Sequence, residues 1–108
     1  MHSLKLVTLV AESLLEKRLL EEMRQAGASG YTTSPAHGEG SRDLRTGLLE
    51  EGNVRIEVIV TEEVAEKIMA RMESAYFPYY AVICWLTDVS VVRADKYAGS
   101  PRERPWLR

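Results

Sequence analysis

The sequence predicts an α+β fold in which four strands and two helices alternate along one chain. Apolar residues change between strand-like and helix-like spacing four times, and the resulting order is strand, helix, strand, loop, strand, helix, strand. A faint internal repeat at an offset of fifty residues pairs Val10 with Val60, Glu12 with Glu62, Glu16 with Glu66 and Lys17 with Lys67. Two βαβ halves predict a ferredoxin-like βαββαβ sandwich, with four antiparallel strands and both helices on one face.

The first half begins with a strand and an amphipathic helix. Residues 4–10 form a short run rich in apolar and β-branched side chains, which is typical of a strand. Ser13 stands three residues before Glu16, at the spacing of a capping box, so we expect the helix to start there. Gly27 follows the last apolar position of the helix and predicts its end.

A second strand and a long loop follow. Residues 30–34 have strand propensity, and Pro35 predicts the end of that strand. The next residues, up to Gly52, carry no periodic apolar pattern, and a loop of this length in a small domain is usually functional or disordered. Residues 53–60 then alternate between apolar and polar side chains, which predicts a strand with one buried face.

The second half ends with a helix and a strand that is apolar on both faces. Thr61 can cap the helix, whose apolar positions repeat at helical spacing as far as Pro78. The last strand, residues 81–92, has largely apolar side chains on both faces, as residues 4–10 do. A monomer would expose the second face to water, so we expect subunits to bury it. The alternative is a long loop folded across the sheet.

Composition indicates one globular domain. The chain has 108 residues, of which 45% are hydrophobic and 28% charged, and its net charge is −2. With no apolar run of about 18 residues and no signal-like N-terminus, we expect a soluble, cytoplasmic protein. The small net charge disfavours a protein that coats nucleic acid, and the first and third strands lack the aromatic side chains of an RNA-recognition sheet.

The charge is unevenly distributed and suggests a separate tail. Residues 93–108 carry five basic and two acidic side chains, which leaves about −5 on the rest of the chain. We therefore expect a folded domain over residues 1–97, with a flexible loop at about 36–52, and a flexible basic tail over residues 98–108. Trp106 among arginines allows a second interpretation of the tail, as a docking handle.

No catalytic machinery is recognisable. Phosphate-binding motifs of the P-loop and dinucleotide type are absent. A ferredoxin-like phosphatase would need an arginine-bearing loop just after the first strand, but residues 11–13 are Ala, Glu and Ser. The histidines, His2 and His37, do not belong to a metal-ligand spacing. The single cysteine, Cys84, lies in an apolar run and is expected to be buried. We therefore predict that the protein is not an enzyme and holds no metal.

The long loop is the best candidate for binding chemistry. Gly38 and Gly40 let the backbone approach a ligand closely, and Arg42 and Arg45 can donate paired hydrogen bonds to phosphate or carboxylate oxygens. Together they suggest an anion clamp. The residues alone equally allow a mobile, solvated loop whose arginines pair with neighbouring carboxylates.

Three segments resemble a known family, the PII-like signalling proteins. They are Gly-Tyr-Thr at 30–32 followed by Gly-Glu-Gly-Ser-Arg-Asp-Leu-Arg at 38–45, the strand at 53–60, and Asp-Val-Ser-Val-Val-Arg-Ala-Asp-Lys-Tyr at 88–97. The resemblance spans residues 4–97 and is closest to the branch associated with carboxysomes and bicarbonate transport. The glycine-serine-arginine stretch is its most specific part.

The resemblance implies a homotrimer that binds adenine nucleotides between subunits and signals through a flexible loop. The implied partner is a membrane transporter or a carbon-fixation protein of inorganic-carbon handling. Phosphates would meet Gly40, Ser41, Arg42 and Arg45. The second strand would contribute Gly30, Tyr31, Thr32 and Thr33, the closing turn Tyr79, Tyr80 and Ala81, and the adjoining subunit Arg93.

Departures from the classical PII pattern narrow the range of expected ligands. The loop has no modifiable tyrosine, and Phe-Pro-Tyr-Tyr at 77–80 replaces the Gly-Asp-Gly-Lys segment of the family. Loss of that lysine disfavours tight triphosphate binding and 2-oxoglutarate sensing, so AMP or ADP is expected, with bicarbonate as a second ligand beside the phosphate. An alternative stays open: a trimeric adaptor that docks an acidic partner through the arginine loop without sensing nucleotide.

Overall fold

A computed structural model describes residues 1–38 and 52–97 of the chain. Its strands are β1 (His2–Glu12), β2 (Thr32–Ala36), β3 (Asn53–Val60) and β4 (Ile83–Val91), and its α-helices are α1 (Glu16–Ala26) and α2 (Glu62–Ala75). All strand pairs are antiparallel, in the spatial order β2-β3-β1-β4. The predicted ferredoxin-like sandwich is confirmed. Most of the expected flexible loop and the whole expected tail lie outside the described residues.

The capping box predicted at the start of α1 is wrong. Ser13 begins a short 3-10 helix, Ser13–Leu15, and α1 starts at Glu16 without a side-chain cap. The Ser13 backbone amide and hydroxyl instead both donate to the carbonyl of Gly52, at 3.1 and 3.2 Å. The Ser13 side chain, which the local pattern predicted as a helix cap, is thus bonded to a residue 39 positions away. The predicted end at Gly27 is confirmed, with φ of 119°.

The second strand begins and ends two residues later than predicted. Pro35 lies inside β2, paired with Val54, and does not terminate it. Proline is tolerated there because β2 is an edge strand, where a missing backbone donor breaks no ladder on the outer side. In contrast, β3 has the predicted bounds, since its strict alternation leaves only one register that buries Val54, Ile56, Val58 and Val60.

The core lies between the sheet and the helices. Thr61 caps α2, its hydroxyl accepting from the Val64 amide at 3.3 Å, and the helix ends at Ala75, before the expected Pro78. Buried side chains of both helices pack on the inner face of β1 and β3; they are Leu19, Met23, Ala65, Ile68 and Met72 against Val7, Leu9, Val54, Ile56, Val58 and Val60. Tyr76, just after α2, is also fully buried.

The opposite face of the sheet carries exposed apolar side chains, as predicted. The register places Ile83 beside Val10 and Trp85 beside Thr8. Ile83 is 54% and Trp85 is 38% exposed, and the Arg55 guanidinium stacks over the Trp85 ring at 5.6 Å. In the described part of the chain, the buried Thr8 hydroxyl has no hydrogen-bond partner. This surface, called here the open face, therefore still has exposed apolar area.

Among the helices that the structure describes, none has the length and apolar character needed to span a bilayer.

Candidate functional site

The long loop is anchored at one end of the sheet, where β2 ends and β3 begins. Ala36, the last residue of β2, pairs with Asn53, the first residue of β3. The double hydrogen bond from Ser13 to Gly52 fixes the same place to the end of β1. The chain thus leaves and re-enters the fold at one defined edge. The proposed phosphate contacts Gly40, Ser41, Arg42 and Arg45 lie outside the described residues.

A compact turn, residues 76–82, joins α2 to β4 and lies at the same end of the sheet. Backbone amides of Tyr79 and Tyr80 both donate to the carbonyl of Tyr76 at 2.9 Å, and the Val82 amide donates to Tyr80 at 2.9 Å. None of residues 76–82 is a glycine, although the resemblance implies a glycine-rich segment here. The turn is therefore ordered by its own backbone without glycine.

Two tyrosines of the turn pack against the first helix. The Arg18 guanidinium lies 5.3 Å from the Tyr80 ring and 5.5 Å from the Tyr76 ring, and Arg18 Nη1 donates to the Tyr80 hydroxyl at 2.9 Å. This hydrogen bond is the main reason that the pKa of Arg18 lies above its ordinary value. Tyr80 is thereby directed toward α1, while Tyr79 beside it is 67% exposed.

A carboxylate between the helices completes this network. The Tyr76 hydroxyl donates to Glu22 at 2.8 Å, and Arg71 Nε donates to both oxygens of Glu22 at 3.0 and 3.1 Å. Partial burial would raise the pKa of Glu22, but the hydrogen bonds from Arg71 and Tyr76 outweigh it and hold that pKa below its ordinary value. The carboxylate therefore stays ionised and links α1, α2 and the turn.

The remaining candidate residues line a hollow on the other side of the sheet. Gly30, Tyr31 and Thr32 border a cavity of about 270 Å³ at the start of β2. Its other walls come from the residue before Gly30, from the open face and from the C-terminal segment of the described chain; they are Ser29, Leu6, Glu57, Ile59, Lys96 and Tyr97. An apolar floor with a few polar groups suits a planar, partly apolar ligand. Thr33 pairs with Ile56 and does not line this cavity.

Another 3-10 helix, Ala94–Lys96, closes one side of the hollow. The Ser29 hydroxyl donates to the Lys96 carbonyl at 3.1 Å, and the Lys96 ammonium lies 5.7 Å from the Tyr97 ring centre. Arg93, expected at the end of the last strand, lies two residues beyond β4, and its carbonyl accepts from the Lys96 amide at 3.3 Å. Arg93 itself is exposed and available to a ligand.

The turn and the hollow are distant from one another within one subunit. The turn leads into Ile83 beside Val10, whereas the hollow is bounded by Leu6, four residues away along β1. At about 3.3 Å per residue this is about 13 Å along the strands, and the hollow itself extends from β1, one strand spacing of about 4.8 Å from β4, to β2, three spacings from it. The structure therefore brings Gly30, Tyr31 and Thr32 together with the segment that follows Arg93, but not with Tyr79 and Ala81.

Sequence reasoning missed several of these residues. Arg18 has the pattern of an ordinary solvent-facing helix position, and its two rings lie about 60 residues further along the chain. Leu6, Glu57 and Ile59 were recognisable only as open-face positions of two strands. The described part of the chain has no cluster of three or more potential metal-ligating side chains. Cys84 is only partly buried, packs on Met69 at 3.3 Å, and has its pKa raised to about 11 by burial.

Comparison with known proteins identifies the family. The model of the family "Nitrogen regulatory protein P-II" matches residues 4–96. Among solved structures, a protein of Thermus thermophilus assigned as a PII-like signaling protein is 54% identical, over 89% of this chain and 96% of that one, with a TM-score of 0.78.

More distant relatives share the fold. CPII from Thiomonas intermedia K12, in a structure bound to ADP and bicarbonate, is 22% identical over 90% of this chain and 96% of its own, with a TM-score of 0.78. A second structure of CPII, bound to ADP, AMP and acetate, is 21% identical over 89% and 95%, with a TM-score of 0.76. The family match over nearly the whole chain and the close Thermus relative together place this chain in the nitrogen regulatory protein P-II family, among its PII-like members.

Proposed function

We propose that this PII-like protein is a homotrimer that binds AMP or ADP between neighbouring subunits. The observation that carries the proposal is the separation of the candidate residues into a turn and a hollow too far apart for one small ligand. A single nucleotide contacts both only when the turn of one subunit faces the hollow of the next. Tyr79, Ala81 and the long loop then form one wall, and Gly30, Tyr31, Thr32 and Arg93 form the other.

The open face supports the trimer. Ile83 and Trp85 leave apolar area exposed on this face, and Arg and Trp, which stack here as Arg55 and Trp85, are residue types enriched at protein interfaces. Association through this face also brings the edge of one sheet toward the hollow of another.

The distribution of positive charge favours a mononucleotide or diphosphate. From residue 73 to residue 92 the chain has no Lys, Arg or His, so the turn offers phosphate only backbone groups and tyrosine hydroxyls. Arg42 and Arg45 of the long loop, with Gly40 and Ser41, then neutralise the phosphates. Two arginines suffice for AMP or ADP, whereas a triphosphate needs the additional cation that this turn lacks.

Bicarbonate is the proposed second ligand, and inorganic-carbon handling the proposed context. Distant relatives of this fold have been solved with ADP, AMP and bicarbonate. A small anion can occupy the arginine-lined space beside a mononucleotide where a triphosphate would extend. Nucleotide then orders the long loop, which binds or releases a transporter or carbon-fixation protein, because only a ligand that prefers the ordered state shifts its population.

The test combines light scattering with calorimetry. The purified protein should have three times the chain mass of 12.2 kDa. Arg42→Ala and Arg45→Ala should each weaken ADP binding roughly 10-fold to 150-fold, while Arg71→Ala on the helix face should bind as wild type. Added bicarbonate should change the hydrogen exchange of residues 37–52 in the nucleotide complex. A stable monomer contradicts the shared site, and a trimer that binds no nucleotide favours the adaptor alternative.

A further inference from the structure

The turn that faces the proposed ligand has no positive charge of its own and is contacted by one from another element. Residues 76–82 contain no cation, and Arg18 of α1 contacts two of their rings. Its guanidinium lies over two rings whose centres are 5.7 Å apart, and it donates to the Tyr80 hydroxyl. Arg18 thus fastens the turn to a helix that is otherwise remote from the ligand.

This attachment acts on the residue next to the one exposed for binding. Tyr80 is held against α1, so its side chain can leave the helix only by breaking the Arg18 hydrogen bond and the contact of Arg18 with its ring. Tyr79, directly before it, is largely exposed to solvent. Because Tyr80 is already fixed, the turn loses less conformational freedom when a ligand binds.

We infer that Arg18 is a positioning residue for ligand binding, which acts through Tyr80 to hold the turn in the arrangement that meets the nucleotide. The identity of the ligand rests on the proposed function, whereas the claim that Arg18 holds the turn does not.

Two measurements test this role, one without ligand. Hydrogen exchange of the Tyr79, Tyr80 and Val82 amides should accelerate about threefold to tenfold in Arg18→Ala, because each of these amides is bonded within the turn. Arg71→Ala is the matched control: it removes another exposed guanidinium of the same network, one that bonds to Glu22, and leaves the contact of Arg18 with Tyr80 in place. Unchanged exchange in Arg18→Ala, or equal acceleration in Arg71→Ala, overturns the inference.

The second measurement is ADP affinity. Arg18→Ala and Tyr80→Phe should each weaken binding about threefold to tenfold, and the double variant should be no weaker than Arg18→Ala, because both changes remove one shared contact. Arg71→Ala should retain wild-type affinity. Additive losses in the double variant, or wild-type affinity in Arg18→Ala, contradict the route through Tyr80. If the wild type binds no nucleotide, the proposed function fails, and the exchange measurement still decides whether Arg18 holds the turn.

Discussion

The hydrogen bond from Tyr76 to Glu22 gives a stability prediction with a defined pH dependence. Tyr76→Phe removes only the hydroxyl that donates to the carboxylate at 2.8 Å, and leaves the buried ring and the Arg71 contacts in place. A hydrogen bond to a charged group contributes about 1.5 to 3 kcal/mol. Because the Glu22 side chain is only 18% exposed, water replaces the lost donor poorly, so the loss at pH 7 should fall in this range.

Acid should reduce this loss. Since the pKa of Glu22 is below its ordinary value of 4.5 in the folded protein, its stabilising contribution is complete above that value and disappears as the pH falls through the lower folded pKa. Once the carboxyl is protonated, the hydroxyl retains only a neutral hydrogen bond of about 1 kcal/mol. The difference between wild type and Tyr76→Phe should therefore shrink below pH 4.5.

Urea denaturation followed by circular dichroism measures both quantities, at one protein concentration because assembly contributes to stability. Tyr79→Phe is the control, since its hydroxyl belongs to an exposed residue of the same turn and its removal should change stability by less than about 0.5 kcal/mol. A loss in Tyr76→Phe that equals the control at pH 7, or that is the same at pH 7 and pH 3, would refute the reasoning.

Two further predictions concern Gly27, which ends α1, and Cys84, which packs on Met69 of α2. Gly27→Ala should destabilise the protein by about 1 to 2 kcal/mol from its φ of 119° alone, with more from the 3.1 Å approach of the new methyl to Val64, whereas Gly30→Ala, with open space around it, should be nearly neutral in thermal unfolding. At pH 8, Cys84 in the native protein should react with iodoacetamide roughly 100-fold more slowly than in urea, because a pKa of about 11 leaves little thiolate; equal rates by mass spectrometry would contradict this.

Sequence patterns predicted the fold well where the burial pattern decides it. The alternation of residues 53–60 fixed both bounds of β3, and Thr61 capped α2 as expected, because both features depend on neighbouring residues. Patterns failed where a distant residue competes. Ser13 bonds to Gly52 instead of capping α1, and Pro35 is accommodated by the edge position of β2, which no local signal reveals.

The candidate site was predictable only in part, for the same reason. Gly30, Tyr31 and Thr32 were found through resemblance, and the structure adds the hollow that they border. Arg18 could not be found, since its role depends on a contact with Tyr80 across 62 residues. Spacing along one helix identifies which side chains face water, but not which of them another element will meet.

The double hydrogen bond between Ser13 and Gly52 has a consequence for how such proteins diversify. It and the Ala36–Asn53 pair secure both ends of the intervening segment to the sheet. Closing a longer connection costs little, about 0.6 kcal/mol for each doubling of its length. Insertions, deletions and new recognition sequences can therefore accumulate between these anchors at almost no penalty to folding, so that selection for a new partner and selection for a stable domain act on separate parts of the chain.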